Sequence, residues 1–216
     1  MRTPSPIRNG FTLVELLTVI AVIGILAAIL IPTVGTVQNS ARKTATRALF
    51  TSVIGGIELF RTEYGYLPDL NTSSGDYRNP TNGSLDDADR TRDFFVALTG
   101  SLPDGTAATP TQLRDVGNIR RSRFVSFTAE QTTGTGASLR LVDAFGNTDI
   151  RLIMDTTGAG QVPGDGFIDL SLLADNLRKI GNPARDPGEV KIRATAIMYS
   201  AGQGRSNSDI VKSWAQ

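Results

Sequence analysis

Hydrophobic and polar positions divide the chain sharply near Pro32. From Leu16 to Ile31 run sixteen residues without a charge, and counting back to Phe11 gives twenty-one with one ionisable group, Glu15. At about 1.5 Å per residue, a helix of that length spans roughly 30 Å, the thickness of a bilayer's hydrocarbon core. Beyond Pro32 apolar residues recur at three- and four-residue steps, through Val34, Val37, Ala41, Ala45, Ala48, Ser52 or Val53, Ile57, Phe60 and Tyr64. Arg42, Lys43, Arg47, Glu58, Arg61 and Glu63 take the other faces. The pattern predicts one long helix from about Thr12 to Tyr64, apolar all round at first and amphipathic later. Pro32 withholds a backbone donor, so a kink or loosened turn is expected between Gly24 and Pro32. Gly55-Gly56 reads as a close-packing point.

From Gly65 to Asp89 the chain is rich in Asn, Ser, Gly, Pro and Asp and reads as loop. Asp89 to Leu98 predicts a short helix with Phe94, Phe95 and Leu98 turned inward, and Gly100 to Asn118 is irregular again. Four strands are expected over Arg123–Thr128, Ser138–Val142, Asp149–Asp155 and Lys191–Ser200. The last two alternate, with Ile150, Leu152 and Met154 on one face and Ile192, Ala194, Ala196 and Met198 on another. Gly146-Asn147 suits a tight turn between two of these runs. A helix followed by an antiparallel sheet is an α+β fold.

The first apolar segment admits three general readings. A secretory signal peptide needs small residues at its cleavage site, and a cut after Ala27 or Ala28 would place Ile25 or Leu26 at the other recognition position. A plain membrane anchor fits the length and puts Arg2 and Arg8 in the cytoplasm, yet leaves Glu15 and the abrupt Gly10–Phe11 junction unexplained. A buried soluble helix is seldom so long and so apolar on every side.

Composition removes much familiar chemistry. The 216 residues include no His and no Cys. Ser-His-Asp catalysis, imidazole metal sites, thiol nucleophiles, disulfides and lipidated cysteines are therefore excluded. With 22 basic and 21 acidic side chains the balance is +1, which argues against a dedicated nucleic-acid binder.

Gly10-Phe11-Thr12-Leu13-Val14-Glu15-Leu16-Leu17 resembles the cleavage and methylation signature of type IV prepilins and type II secretion pseudopilins. The resemblance covers about the first 35 residues. It implies a leader of Met1 to Gly10, cut between Gly10 and Phe11 by a prepilin peptidase, with N-methylation of the new terminal Phe11. Residues 11–32 would form the transmembrane and assembly helix and 33–216 a periplasmic pilin-like domain. Glu15, Gly24 and Pro32 fall where the family commonly carries those residue types. Removing Arg2 and Arg8 lowers the basic count from 22 to 20 against 21 acids, a mature balance of −1. The implied partners are the chain itself as a helical homopolymer, other pseudopilins, the peptidase, an inner-membrane assembly platform and the lipid bilayer. No nucleic acid is expected.

Residue chemistry bears independently on Glu15. A charge inside a bilayer costs about 2.5–3.5 kcal/mol on insertion scales and so seeks a partner. Cleavage at Gly10 would create one, the amine of Phe11, about 6 Å along the same helix or presented by a neighbour in a filament. The alternative is a side chain that merely snorkels to the interface.

A second resemblance lies near the carboxyl end. Asp143-Ala144-Phe145-Gly146-Asn147 resembles a turn of type II major pseudopilins, and Tyr199-Ser200-Ala201-Gly202 through Asp209 to Trp214 is similar to their closing loop. That loop binds calcium in the family, which makes Asp209 a candidate ligand, although Gln203 and Gly204 stand where an aspartate is usual. No other cofactor is expected. Asp155-Thr156-Thr157-Gly158 and Asp165-Gly166-Phe167-Ile168-Asp169 have fragments of a calcium-loop cadence, but polar turns explain Asp155, Asp165 and Asp169 better. Gly158–Gly164 misses the phosphate-cradle spacing. Arg120-Arg121-Ser122-Arg123 reads as a solvated loop before a DNA patch, and Asp86/Asp87 and Asp165/Asp169 as solvated acids before a glycosidase pair.

The function expected from these residues is that of a non-enzymatic filament subunit, a type II secretion pseudopilin most like the major class. A minor pseudopilin, a type IV pilin and a membrane-anchored extracytoplasmic enzyme or binding module are the alternatives.

Overall fold

The computed structural model describes residues 13–70, 83–85, 88–155, 158, 160, 162–163, 191–204 and 209–213. The fold is α+β, a long amino-terminal helix with small antiparallel sheets. Two compact units are formed, Met1–Ala41 and Arg42–Gln216. The helix, α1 (Leu13–Tyr64), contributes to both.

Within the first unit every large apolar side chain from Leu13 to Ile31 is at least half exposed. Within the second, the inward face of α1 is Thr46, Leu49, Phe50, Val53, Gly56, Ile57 and Phe60. This stripe lies beside the expected one. Ala45 and Ala48 are exposed, and Leu49 and Phe50 are buried in their place. Bulk decides the difference: burying a Leu or Phe side chain gains about 1.5–3 kcal/mol, several times what an Ala methyl offers. The two glycines also part company. A Cβ on Gly56 would lie 2.1 Å from Val125 Cγ2, whereas nothing comes within 4 Å of one on Gly55.

The remaining elements are β1 (Gly83–Ser84), α2 (Ala88–Thr99), α3 (Pro110–Asp115), β2 (Thr132–Thr133), β3 (Arg140–Leu141), β4 (Arg151–Met154), β5 (Val162–Pro163), β6 (Lys191–Ile192), β7 (Ala196–Ser200) and β8 (Val211–Lys212). The main sheet runs β1-β4-β7-β8, and β2-β3 and β5-β6 are separate two-stranded ladders. At its centre Leu152 faces Met198 and Ile153 faces Ile197 across an antiparallel register. Leu152, Met154, Ala196 and Met198 join Leu49, Phe50, Val53 and Ile57 in the main core. Ile153, Ile197 and Tyr199 form a second cluster with Val162. Both faces of β4 and β7 are therefore covered, and the face opposite Leu152 and Met198 is apolar too.

Phe94, Phe95 and Leu98 of α2 are buried as expected. The stretch Arg123–Thr128, expected as a strand, joins no ladder. Its amides have other work, since Phe124 N and Val125 N both donate to Leu98 O at 2.8 and 3.2 Å and so cap the carboxyl end of α2. The expected strand Lys191–Ser200 is interrupted at Arg193–Thr195, which splits it into β6 and β7. A helix also occupies part of the stretch read as irregular. α3 begins on a capping box in which Thr109 and Gln112 satisfy each other's backbone amides, with Pro110 in the first turn.

Candidate functional site

Glu15 lies in the first turn of α1, where a carboxylate complements the positive end of the helix dipole. Gly10 and Phe11 lie outside the described residues. Gly24 lies in α1 with open space around it, and Pro32 is also part of the helix. The hydroxyls of Thr18, Thr33 and Thr36 are satisfied within the helix itself. Thr18 Oγ1 donates to Glu15 O at 2.9 Å, Thr33 Oγ1 to Leu30 O at 2.8 Å and Thr36 Oγ1 to Thr33 O at 2.8 Å. Hydroxyls turned back onto their own helix carry no unsatisfied donor into hydrocarbon. A helix with this surface, long and apolar enough to cross a membrane, is consistent with membrane anchoring.

In the second unit, the turn after β3 converges on one buried carboxylate. Asp143 accepts from Phe145 N at 2.8 Å, Asn147 N at 2.9 Å, Asn147 Nδ2 at 2.9 Å and Ser200 Oγ at 2.7 Å. Asn147 Nδ2 also donates to Gly202 O at 2.7 Å, which ties the turn to the closing loop. Asp209, the sequence candidate for calcium, has its Oδ1 3.4 Å from Lys43 Nζ on α1. Asp155 accepts from Gly160 N at 2.6 Å, the geometry of a polar turn. That bond also aims at a carboxylate the glycine amide that a phosphate cradle would need. Asp165, Asp169, Asp86, Asp87 and Trp214 lie outside the described residues.

The arginines of the basic cluster are exposed, as expected of a solvated loop, and two of them also make contacts within the molecule. Arg120 pairs with Glu63, and Arg121 donates from Nη2 to Ala108 O at 2.6 Å with its backbone in the left-handed region at φ 54°. Arg123 lines an open cleft of about 250 Å³ with Phe95, Thr99 and Phe127, and is the one ionisable side chain on its described wall. The sequence motifs point to Asp143, Asn147 and Asp209 but not to Lys43, which is separated from Asp209 by 166 positions.

The prokaryotic N-terminal methylation motif matches residues 6–31, a span that contains Gly10, Phe11, Glu15 and Gly24. No curated protein and no solved structure matches the chain. The amino terminus is prepilin-like over that span.

Proposed function

We propose that the chain is the structural subunit of a type II secretion pseudopilus. It inserts into the inner membrane with Met1–Gly10 in the cytoplasm and its second unit in the periplasm. A prepilin peptidase cuts between Gly10 and Phe11, and Phe11 is N-methylated. The processed subunit then passes from the bilayer into a helical fibre, with other pseudopilins and an assembly platform as partners. The fibre pushes secreted proteins across the outer membrane, and the subunit itself does no chemistry.

The observation that carries this reading is the methylation motif at 6–31, in register with an acidic residue in the first turn of an exposed apolar helix. Lipid covers that surface before assembly and neighbouring α1 helices cover it afterwards, so burial holds the fibre together. The Glu15 carboxylate and the Phe11 amine pair in the low-dielectric fibre core and fix axial register. The absence of Cys favours secretion over the many type IV pilins that carry a carboxyl-terminal disulfide. Glu15→Ala tests the role of the carboxylate. Fibre assembly is expected to stop while removal of the leader continues, as read by electron microscopy and immunoblotting. Normal fibres from that variant would contradict the reading.

A further inference from the structure

The closing loop is anchored to α1 by an ammonium group. Lys43 Nζ sits 3.4 Å from Asp209 Oδ1, and the two side chains are 29% and 14% exposed. The backbone of Asp209 is pressed against Gly202, where φ is +60° and a Cβ would lie 1.9 Å from Asp209 O. Two residues further on, Val211 enters β8 and pairs with Ser200 of β7. The Lys43–Asp209 pair thus stands where the loop turns back to the sheet.

We propose that the Lys43 ammonium, and not a bound calcium ion, neutralises Asp209 and fastens this loop, so that the second unit folds independently of calcium. Among the described residues, the oxygens gathered there do not fit the ion. Calcium takes six to eight oxygens at about 2.3–2.6 Å. Here the Gly202 carbonyl faces the Asn147 amide, and both Asp143 oxygens face N–H or O–H donors. Among the described residues no group of three or more acidic side chains is placed to hold a metal. The ammonium supplies positive charge without demanding a coordination sphere. Its hold is electrostatic and partly exposed to solvent, and salt weakens it.

The test uses the full chain in detergent, with thermal unfolding followed by circular dichroism. Neither excess EDTA nor millimolar calcium is expected to move the Tm. Lys43→Met lowers it by about 2–4 °C at low ionic strength, and the difference shrinks in molar salt. The reversed pair, Lys43→Asp with Asp209→Lys, recovers most of the loss. A Tm that falls on chelation or rises with calcium overturns the proposal, as does a Lys43→Met variant that melts like the parent. Failure of the reversed pair to recover stability overturns it as well.

Discussion

Asn118 is fully buried, and its amide reaches the carbonyls of Val96, Ala97 and Ser122 at 3.3, 2.9 and 2.8 Å. Its Oδ1 accepts from Tyr64 Oη and Ser122 N, both at 2.8 Å. One side chain therefore joins the end of α1, the end of α2 and the following turn. Asn118→Leu strands several of these groups and should cost at least about 2 kcal/mol, read as a lower urea midpoint at unchanged m-value. Tyr66 carries a pH prediction. Desolvation first, and then the neighbouring Tyr64, raise its pKa above the usual phenol value, and its hydroxyl donates to Gly117 O at 2.9 Å. In the unfolded chain the phenol ionises earlier, near pH 10, so the folded state loses stability as pH rises above that point. Tyr66→Phe should flatten the alkaline limb of the stability profile and, by removing the bond to Gly117 O, cost about 0.5–1.5 kcal/mol at neutral pH.

At the scale of elements, adjacent glycines give opposite predictions. Gly56→Ala drives a methyl into Val125 and should cost about 1–3 kcal/mol. Gly55→Ala meets open space in a helix interior and should stabilise by about 0.5–1 kcal/mol. Denaturant unfolding of the two variants side by side checks both. The sequence predicted close packing at this pair without saying which glycine makes it, because that depends on Val125, a residue 69 positions beyond Gly56. α1 and α2 were legible because their apolar periodicity is local. The strands were less uniformly so: β4 and β7 fall within their expected spans, but both of their faces are buried, so the pattern does not separate inside from outside. The amides of Phe124 and Val125 went to a helix end rather than a ladder. By contrast α3 had a readable signal in Thr109-Pro110-Thr111-Gln112, a capping box with proline at the first helical position.

For the whole molecule, the α+β class followed from the order of the patterns, and the prepilin-like terminus from Gly10-Phe11 and Glu15 at short spacing. The Lys43–Asp209 pair was not legible, since nothing local ties a lysine on a helix to an aspartate near the other end. The two units present contrasting surfaces. The second encloses Phe50, Ile57, Phe60 and Met198 completely, while the first leaves Leu13 at 78% and Ile31 at 74% exposed. Such a helix needs lipid or other apolar helices around it, and the proposed filament assembly would offer both in succession. That account depends on a new amine appearing at Phe11. Intact mass and amino-terminal peptide mass spectrometry of the membrane-extracted protein test it most directly. The predicted result is a chain beginning at N-methylated Phe11, with Met1–Gly10 gone. A mature protein that retains Met1, or that starts after the apolar segment, would contradict it.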